Sequence, residues 1–242
     1  MIFDFITDRF RRKQKILAFL VDPDKCHGEK LEQFVASMKQ QSPQLLLVGG
    51  SLISNPIEPL VDYLKTELDM PVVLYPGSPT HLTFNVDAVL FLSMISGRNA
   101  ELLIGNQVVS APFIHRHKIE PISTGYMLID GGNYTSVEYM SQTRPIPAEK
   151  NDIAIATAMA GEMLGMKLIY MDAGSGAKRP VSPSMISDVK RHLNIPLMVG
   201  GGIVTPAIMK SATDAGADLI VVGNALEKDP ELVKAFLDAI DC

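Results

Sequence analysis

The chain has 242 residues, is 47% hydrophobic and 20% charged, and carries a formal net charge of −5. That composition excludes intrinsic disorder and supplies a sizeable core, and the acidic balance argues against a nucleic-acid surface. Two cysteines, Cys26 and Cys242, without a CxxC pair fit a reducing cytoplasm rather than a disulfide-built domain.

Met1 to Lys15 mixes Phe3, Phe5, Ile6 and Phe10 with charged residues. It has no apolar h-region, so it reads as a short amphipathic helix closing one end of the fold and not as a signal peptide. No window approaches a transmembrane span, and transient contact with a membrane surface is the lesser reading of this helix.

Eight apolar runs bounded by turn residues then read as strands: Ile16–Val21, Leu45–Val48, Val72–Tyr75, Ala88–Leu92, Tyr126–Ile129, Leu168–Met171, Leu197–Val199 and Leu219–Val222. Helical patterns follow most of them, at His27–Gln40, Ile57–Leu68, Asn99–His115, Asp152–Leu164, Ser184–His192, Pro206–Ala215 and Pro230–Ile240. Continuous apolar strands fit a parallel sheet buried on both faces. Eight strand–helix repeats predict an α/β fold, a closed (βα)8 TIM barrel, as one domain over residues 1–242. Only Pro76 to Asp87 separates the third and fourth strands, and that stretch is a poor helix. A missing third outer helix would leave a gap suited to a long apolar ligand. The polar loop Gly131 to Lys150 follows the fifth strand and is expected to overhang the active-site face as a lid.

Barrel active sites lie at the C-terminal ends of the strands. The first strand ends Asp22-Pro23-Asp24-Lys25, where two carboxylates either face one divalent cation or point apart in a polar turn. The second ends Gly49-Gly50-Ser51, and a serine hydroxyl there can join a carboxylate on Mg2+ or touch a phosphate. The sixth ends Tyr170-Met171-Asp172-Ala173-Gly174-Ser175-Gly176, offering a general base in Asp172, a hydroxyl clamp in Tyr170 and a glycine-rich turn. Val199-Gly200-Gly201-Gly202-Ile203 and Val221-Val222-Gly223-Asn224 end the seventh and eighth strands, and two such turns side by side make a phosphate cradle. His115-Arg116-His117 lacks a third ligand at metal-binding spacing. Cys26, at the start of the first barrel helix, reads as a bystander.

This set of strand ends resembles the geranylgeranylglyceryl phosphate synthase family, which includes the heptaprenylglyceryl phosphate synthases. The resemblance also rests on Tyr75-Pro76-Gly77-Ser78, Ser96-Gly97-Arg98-Asn99 and Thr124-Gly125-Tyr126. It implies transfer of a prenyl group, geranylgeranyl being the expected one, from its diphosphate to the 3-hydroxyl of sn-glycerol 1-phosphate, as a step of ether-lipid biosynthesis. It implies that Asp22 and Ser51 hold Mg2+. It implies that Tyr170, Met171, Asp172, Ala173, Gly174, Ser175, Gly176, Gly201, Gly202, Gly223 and Asn224 bind the glycerol phosphate, with Asp172 and Tyr170 catalytic. A cytoplasmic homo-oligomer, dimer or hexamer, is the expected assembly.

The chain departs from that family in two places. The sixth-strand motif is commonly Tyr-Leu-Glu, and here it is Tyr170-Met171-Asp172. Several members carry a lysine two residues before the first-strand aspartate, where this chain has Leu20, so Lys25, Arg98 or Arg144 is left to supply that charge. The helix from Leu102-Leu103-Ile104 through Val108-Val109 is expected to face the prenyl tail, with Ser110 leaving room for a long one. Two alternatives remain at this stage. One is another phosphate-binding barrel enzyme, such as a phosphoribosyl isomerase using Asp130 after the fifth strand. The other is a non-catalytic binder of isoprenoid phosphates.

Overall fold

A computed structural model describes residues 1–240, so Cys242 lies outside the described residues. Eight parallel strands close into a barrel in chain order: β1 (Ile16–Val21), β2 (Leu45–Gly50), β3 (Val72–Pro76), β4 (Ala88–Met94), β5 (Glu120–Leu128), β6 (Leu168–Asp172), β7 (Leu197–Gly200) and β8 (Leu219–Val222). The ring is sealed where Ile16 of β1 pairs with Leu219 of β8. Among the described residues ten α-helices accompany them: α1 (Ile2–Arg11), α2 (Glu29–Gln40), α3 (Ile57–Glu67), α4 (Asn106–His117), α5 (Ser136–Ser141), α6 (Asn151–Met163), α7 (Pro183–Lys190), α8 (Pro206–Asp214), α9 (Asn224–Lys228) and α10 (Leu232–Ile240).

Strand alternation splits the core in two. Leu168 and Tyr170 of β6 point into the barrel with Leu45, Leu47, Val73 and Tyr126, whereas Ile169 and Met171 pack outward against the helices. The same parity sends Leu20 and Asp22 inward from the end of β1. The expected amphipathic segment is α1, which closes the bottom by burying Ile6 against Ile16, Leu45 and Leu168. The Glu120 carboxylate, at the foot of β5, accepts from the N–H groups of Ile2 (2.6 Å) and Phe3 (3.1 Å) and so caps this helix.

The third outer helix is absent: between β3 and β4 the chain makes one short 3-10 turn, Pro79–His81. Three expectations shift. The fifth strand begins at Glu120, six residues before the expected Tyr126, and pairs with β4 from Ala88↔Glu120 to Met94↔Tyr126. Pro121, Ser123, Thr124 and Gly125 hid it, because a proline tolerated near a strand's first residue reads like a loop. A π-helical stretch, Glu101–Gly105, runs straight into α4. The polar loop after β5 is partly folded: Thr135 caps α5 by accepting from the Glu138 N–H, and Ile129 bridges Ile146.

Candidate active site

Asp172 sits at the end of β6 and is buried, 6% exposed. Its Oδ2 accepts from the Tyr126 hydroxyl at 2.7 Å and from the Tyr75 hydroxyl at 3.3 Å, and its Oδ1 accepts from the Gly174 N–H at 2.8 Å. Tyr170 stacks edge-on to both tyrosines, with ring centroids 5.4 Å from Tyr126 and 5.9 Å from Tyr75. Burial raises the Asp172 carboxyl above the usual aspartate value, and the tyrosyl and Gly174 donors pull against that rise. All three phenols are pushed well above 10, first by burial and then by the Asp172 charge, so they stay protonated donors. A carboxylate with a raised pKa, held by two hydroxyls and one backbone N–H, is an oriented proton acceptor.

Around it lies a cavity of about 650 Å3, lined by Asp22, Ser51, Ser175, Gly201, Gly223 and Asn224 among others. Gly176 and Gly202 line it too. Gly201 has φ +78°, and a Cβ there would stand 2.5 Å from Asp172 Oδ1 and 2.6 Å from the Gly174 nitrogen. Only glycine lets the β7 turn lie this close to the β6 turn. Asn224 joins the β8 turn to the β6 turn: its amide oxygen accepts from the Gly176 N–H at 2.9 Å, and its nitrogen donates to Ser175 Oγ at 2.8 Å and Glu227 Oε2 at 3.2 Å. The short helix α9 directly after β8 is the local geometry that many barrels place at a phosphate.

Asp22 and Ser51 end neighbouring strands. Asp22 is 7% exposed and ion-pairs with Lys25, Nζ to Oδ2, at 2.7 Å. Asp24 points away from it: its oxygens accept from the Ser54 and Asn55 N–H groups, both at 2.8 Å, and these donors hold its carboxyl low. Asp24 also borders the cavity, but its carboxylate staples the β1 turn to the β2 turn, whereas Asp22 turns its Oδ2 to Lys25 and the β2 end. Met171 and Ala173 pack on the helix side of the sheet, and the Gly174 N–H is already spent on Asp172. Arg98 donates to the Ile95 and Gly97 carbonyls of its own turn, and Arg144 is exposed outside the cavity, so Lys25 is the one of the three cations at the site. Cys26 is buried, precedes the first turn of α2, and has its thiol pushed up to about 11 by burial.

A second cavity of about 350 Å3 opens beside the first in the gap left by the missing helix. Leu82, Phe91, Leu92, Leu102, Ser110 and Ile114 line it, with Val137 and Met140 of α5 overhanging. Gly50, Ser51, Leu52, Tyr75 and Val137 belong to both cavities, so they are continuous. The expected tail-facing stripe is corrected here. Ile104, Val108 and Val109 face solvent at 60%, 64% and 67% exposure, while Leu102, Gln107 and Ser110 face the groove. A π turn holds more residues than an α turn, so it puts a 3.6-residue period started at Asn99 out of phase. Sequence reasoning also missed Tyr75 and Tyr126, which stand near the ends of β3 and β5, and Glu227, which lies within α9.

The PcrB family model matches residues 8–240. The chain belongs to the PcrB family. It is 49% identical to the geranylgeranylglyceryl phosphate synthase of Chitinophaga pinensis, over 99% of this chain and 95% of that protein. The enzyme of the same name from Thermococcus kodakarensis is 37% identical, over 96% and 91%. The crystal structure of (S)-3-O-geranylgeranylglyceryl phosphate synthase from Thermoplasma acidophilum, in complex with sn-glycerol-1-phosphate, superposes with a TM-score of 0.92 at 28% identity, covering 99% of this chain and 98% of that one. Within this PcrB chain, Asp130 turns from the cavity to accept from the Gly132 N–H at 2.8 Å and to face Arg179 at 3.8 Å. The isomerase alternative thereby loses its strand-5 acid. No helix among the described residues is long and apolar enough to cross a membrane.

Proposed function

We propose that this protein joins the 3-hydroxyl of sn-glycerol 1-phosphate to C1 of a prenyl diphosphate, geranylgeranyl diphosphate being the expected donor, and releases diphosphate. It is read as a geranylgeranylglyceryl phosphate synthase of ether-lipid biosynthesis, one catalytic domain over residues 1–242, cytoplasmic and homo-oligomeric. The observation that carries this is the position of Asp172. It lines the glycine-rich cavity, and its two tyrosyl donors line the apolar groove.

In this reading the turns at Ser175-Gly176, Gly201-Gly202 and Gly223-Asn224 hold the phosphate, and the inward side chains of Tyr170 and Asp172 shape the floor beneath the glycerol. The prenyl tail lies along Leu102, Ser110 and Ile114. Asp172 takes the proton of the 3-hydroxyl while the hydroxyl oxygen bonds to C1. The C1–O bond to diphosphate breaks, and diphosphate leaves with the electron pair. An allylic C1 ionises readily, so a weak base suffices, which suits a carboxylate.

The donor set fits Mg2+. Asp22 Oδ2 faces the β2 end, 3.3 Å from where a Cβ on Gly50 would stand, and Ser51 lines the same cavity. No cluster of three or more His, Cys, Asp or Glu residues that could hold a metal occurs among the described residues. One carboxylate and one hydroxyl, completed by water and substrate phosphate, match the habits of this hard ion. When bound, Mg2+ neutralises charge developing on the leaving diphosphate.

Incubation with Mg2+, each enantiomer of glycerol phosphate and prenyl diphosphates of graded length, with product mass as the readout, tests the proposal. A prenylglyceryl phosphate formed from the sn-1 enantiomer is expected. Binding of both substrates without any product would favour the non-catalytic binder.

A further inference from the structure

Lys25 stands between two anionic sites. Its Nζ lies 2.7 Å from Asp22 Oδ2, 3.4 Å from Ser175 Oγ and 3.9 Å from Glu227 Oε2. Ser175 belongs to the glycine turn after β6, so the ammonium reaches the cradle from the side of β1. Of the described residues lining this cavity, only Lys25 and Lys228 are cations. A phosphate dianion bound there meets Asp22, Asp172 and Glu227 on the same walls, and backbone N–H groups alone leave that repulsion unanswered.

Glu227 has a role the reaction itself does not use. Its side chain is 9% exposed, and burial raises its pKa while the Lys25 charge lowers it. It accepts from the Asn224 amide, which in turn holds Ser175 Oγ and the Gly176 N–H. One carboxylate thus ties the lysine to both the β8 turn and the β6 turn. Without it, only the 3.4 Å contact to Ser175 Oγ opposes the attraction of Asp22 for the ammonium.

We propose that Lys25 is the cation that binds the phosphate of the glycerol substrate, and that Glu227 is its positioning residue, holding the ammonium toward Ser175 against the pull of Asp22. The proposal rests on the function proposed above. An ammonium shared between two carboxylates can transfer a hydrogen bond to an arriving phosphate with little loss, because one carboxylate keeps it in place.

Calorimetric titration of the full chain with sn-glycerol 1-phosphate, without metal or prenyl diphosphate, tests this. Lys25→Gln is expected to raise Kd about tenfold, in the range of a lost charge-assisted hydrogen bond. Lys25→Arg, which keeps the charge, should recover most of the affinity and serves as the folding control. Glu227→Gln should weaken binding several-fold in the native background and have no further effect when added to Lys25→Gln. A merely structural Glu227 would weaken both backgrounds equally, and that result overturns its positioning role. Unchanged affinity in Lys25→Gln overturns the assignment of Lys25. Failure of the native protein to bind sn-glycerol 1-phosphate overturns the proposed function itself.

Discussion

The Tyr126 hydroxyl donates to Asp172 Oδ2 across 2.7 Å of barrel interior, from β5 to β6. The two residues are not opposite one another in the sheet: Tyr126 pairs with Tyr170, and Asp172 with Leu128. The contact exists because both side chains point inward from adjacent strands, and a phenol is long enough to span the two-residue diagonal between them. A buried carboxylate without donors would take up a proton and lose its use as a base. Tyr126, Tyr75 and the Gly174 N–H keep its ionised form accessible.

Asp172→Asn keeps the size of the side chain and removes its basicity. We expect kcat to fall by roughly 10²–10⁴-fold, the range for one positioned base. The Kd for sn-glycerol 1-phosphate should change little, since the phosphate sits on the turns beyond it. Asp172→Glu, which retains a carboxylate, should be the more active of the two variants. Steady-state kinetics on both decides it, and near-native turnover in Asp172→Asn would reduce Asp172 to a cap for the Gly174 turn.

Tyr126→Phe removes a donor that lowers the Asp172 pKa while leaving the burial that raises it. The folded-state pKa of Asp172 must therefore move further up. Because Asp172 works ionised, the acid limb of kcat against pH should shift to higher pH, with the plateau approached only above the new value. The sign of the linked stability is the same: a raised carboxyl pKa means the native state binds more protons than the unfolded one. Stability then falls as pH rises from the ordinary aspartate value through the raised one, more steeply in Tyr126→Phe. Chemical denaturation at several pH values, compared with Asp172→Asn, isolates this contribution. An acid limb that stays in place would mean that Asp172 does not control it.

The barrel, its missing third outer helix and the glycine turns were legible in the chain, because each is a local matter of apolar runs, spacing and turn residues. Pro76 to Asp87 is too short and too rich in Pro and Gly to be anything but a turn. What the sequence hid depended on closure or on phase. Tyr75 and Tyr126 became partners of Asp172 only when β3, β5 and β6 were wrapped to face one another. Asp22 and Asp24 are equivalent on paper, and the β2 turn separates them by donating two N–H groups to Asp24 alone. Along α4 the inner face was misassigned because no residue between Glu101 and Gly105 announces a π turn.

The glycines of the cradle should separate into two kinds. A Cβ on Gly223 would meet only Leu20, at 3.5 Å, an ordinary contact pointing into the cavity. Gly223→Val should fold like the native protein, raise KM for glycerol phosphate strongly and leave KM for the prenyl diphosphate nearly unchanged. Gly201→Ala instead forces a left-handed φ and a 2.5 Å collision with Asp172 Oδ1. That variant should lose about 1–3 kcal/mol of stability. Thermal midpoints read beside the two KM values test the distinction, and equal losses for both substrates in Gly223→Val would point to misfolding.

Ser110 tests the groove. It is 8% exposed on the inner wall of α4, its hydroxyl donates to the Asn106 carbonyl at 2.6 Å, and Ile114 lies one turn beyond. A bulky side chain here takes volume from a cavity of about 350 Å3 that Leu92, Leu102 and Ile114 also line. Ser110→Phe should therefore shift preference toward shorter prenyl diphosphates, lowering kcat/KM for the longest accepted chain by at least tenfold. The Kd for sn-glycerol 1-phosphate, bound in the other cavity, should not move. Val108→Asn, two residues earlier on the same helix but 64% exposed on its outer face, should leave the chain-length profile as it was. Competition between prenyl diphosphates of graded length, scored by product mass, measures both. If Val108→Asn changes the profile and Ser110→Phe does not, the tail runs over the outside of α4 and the inner groove serves another purpose.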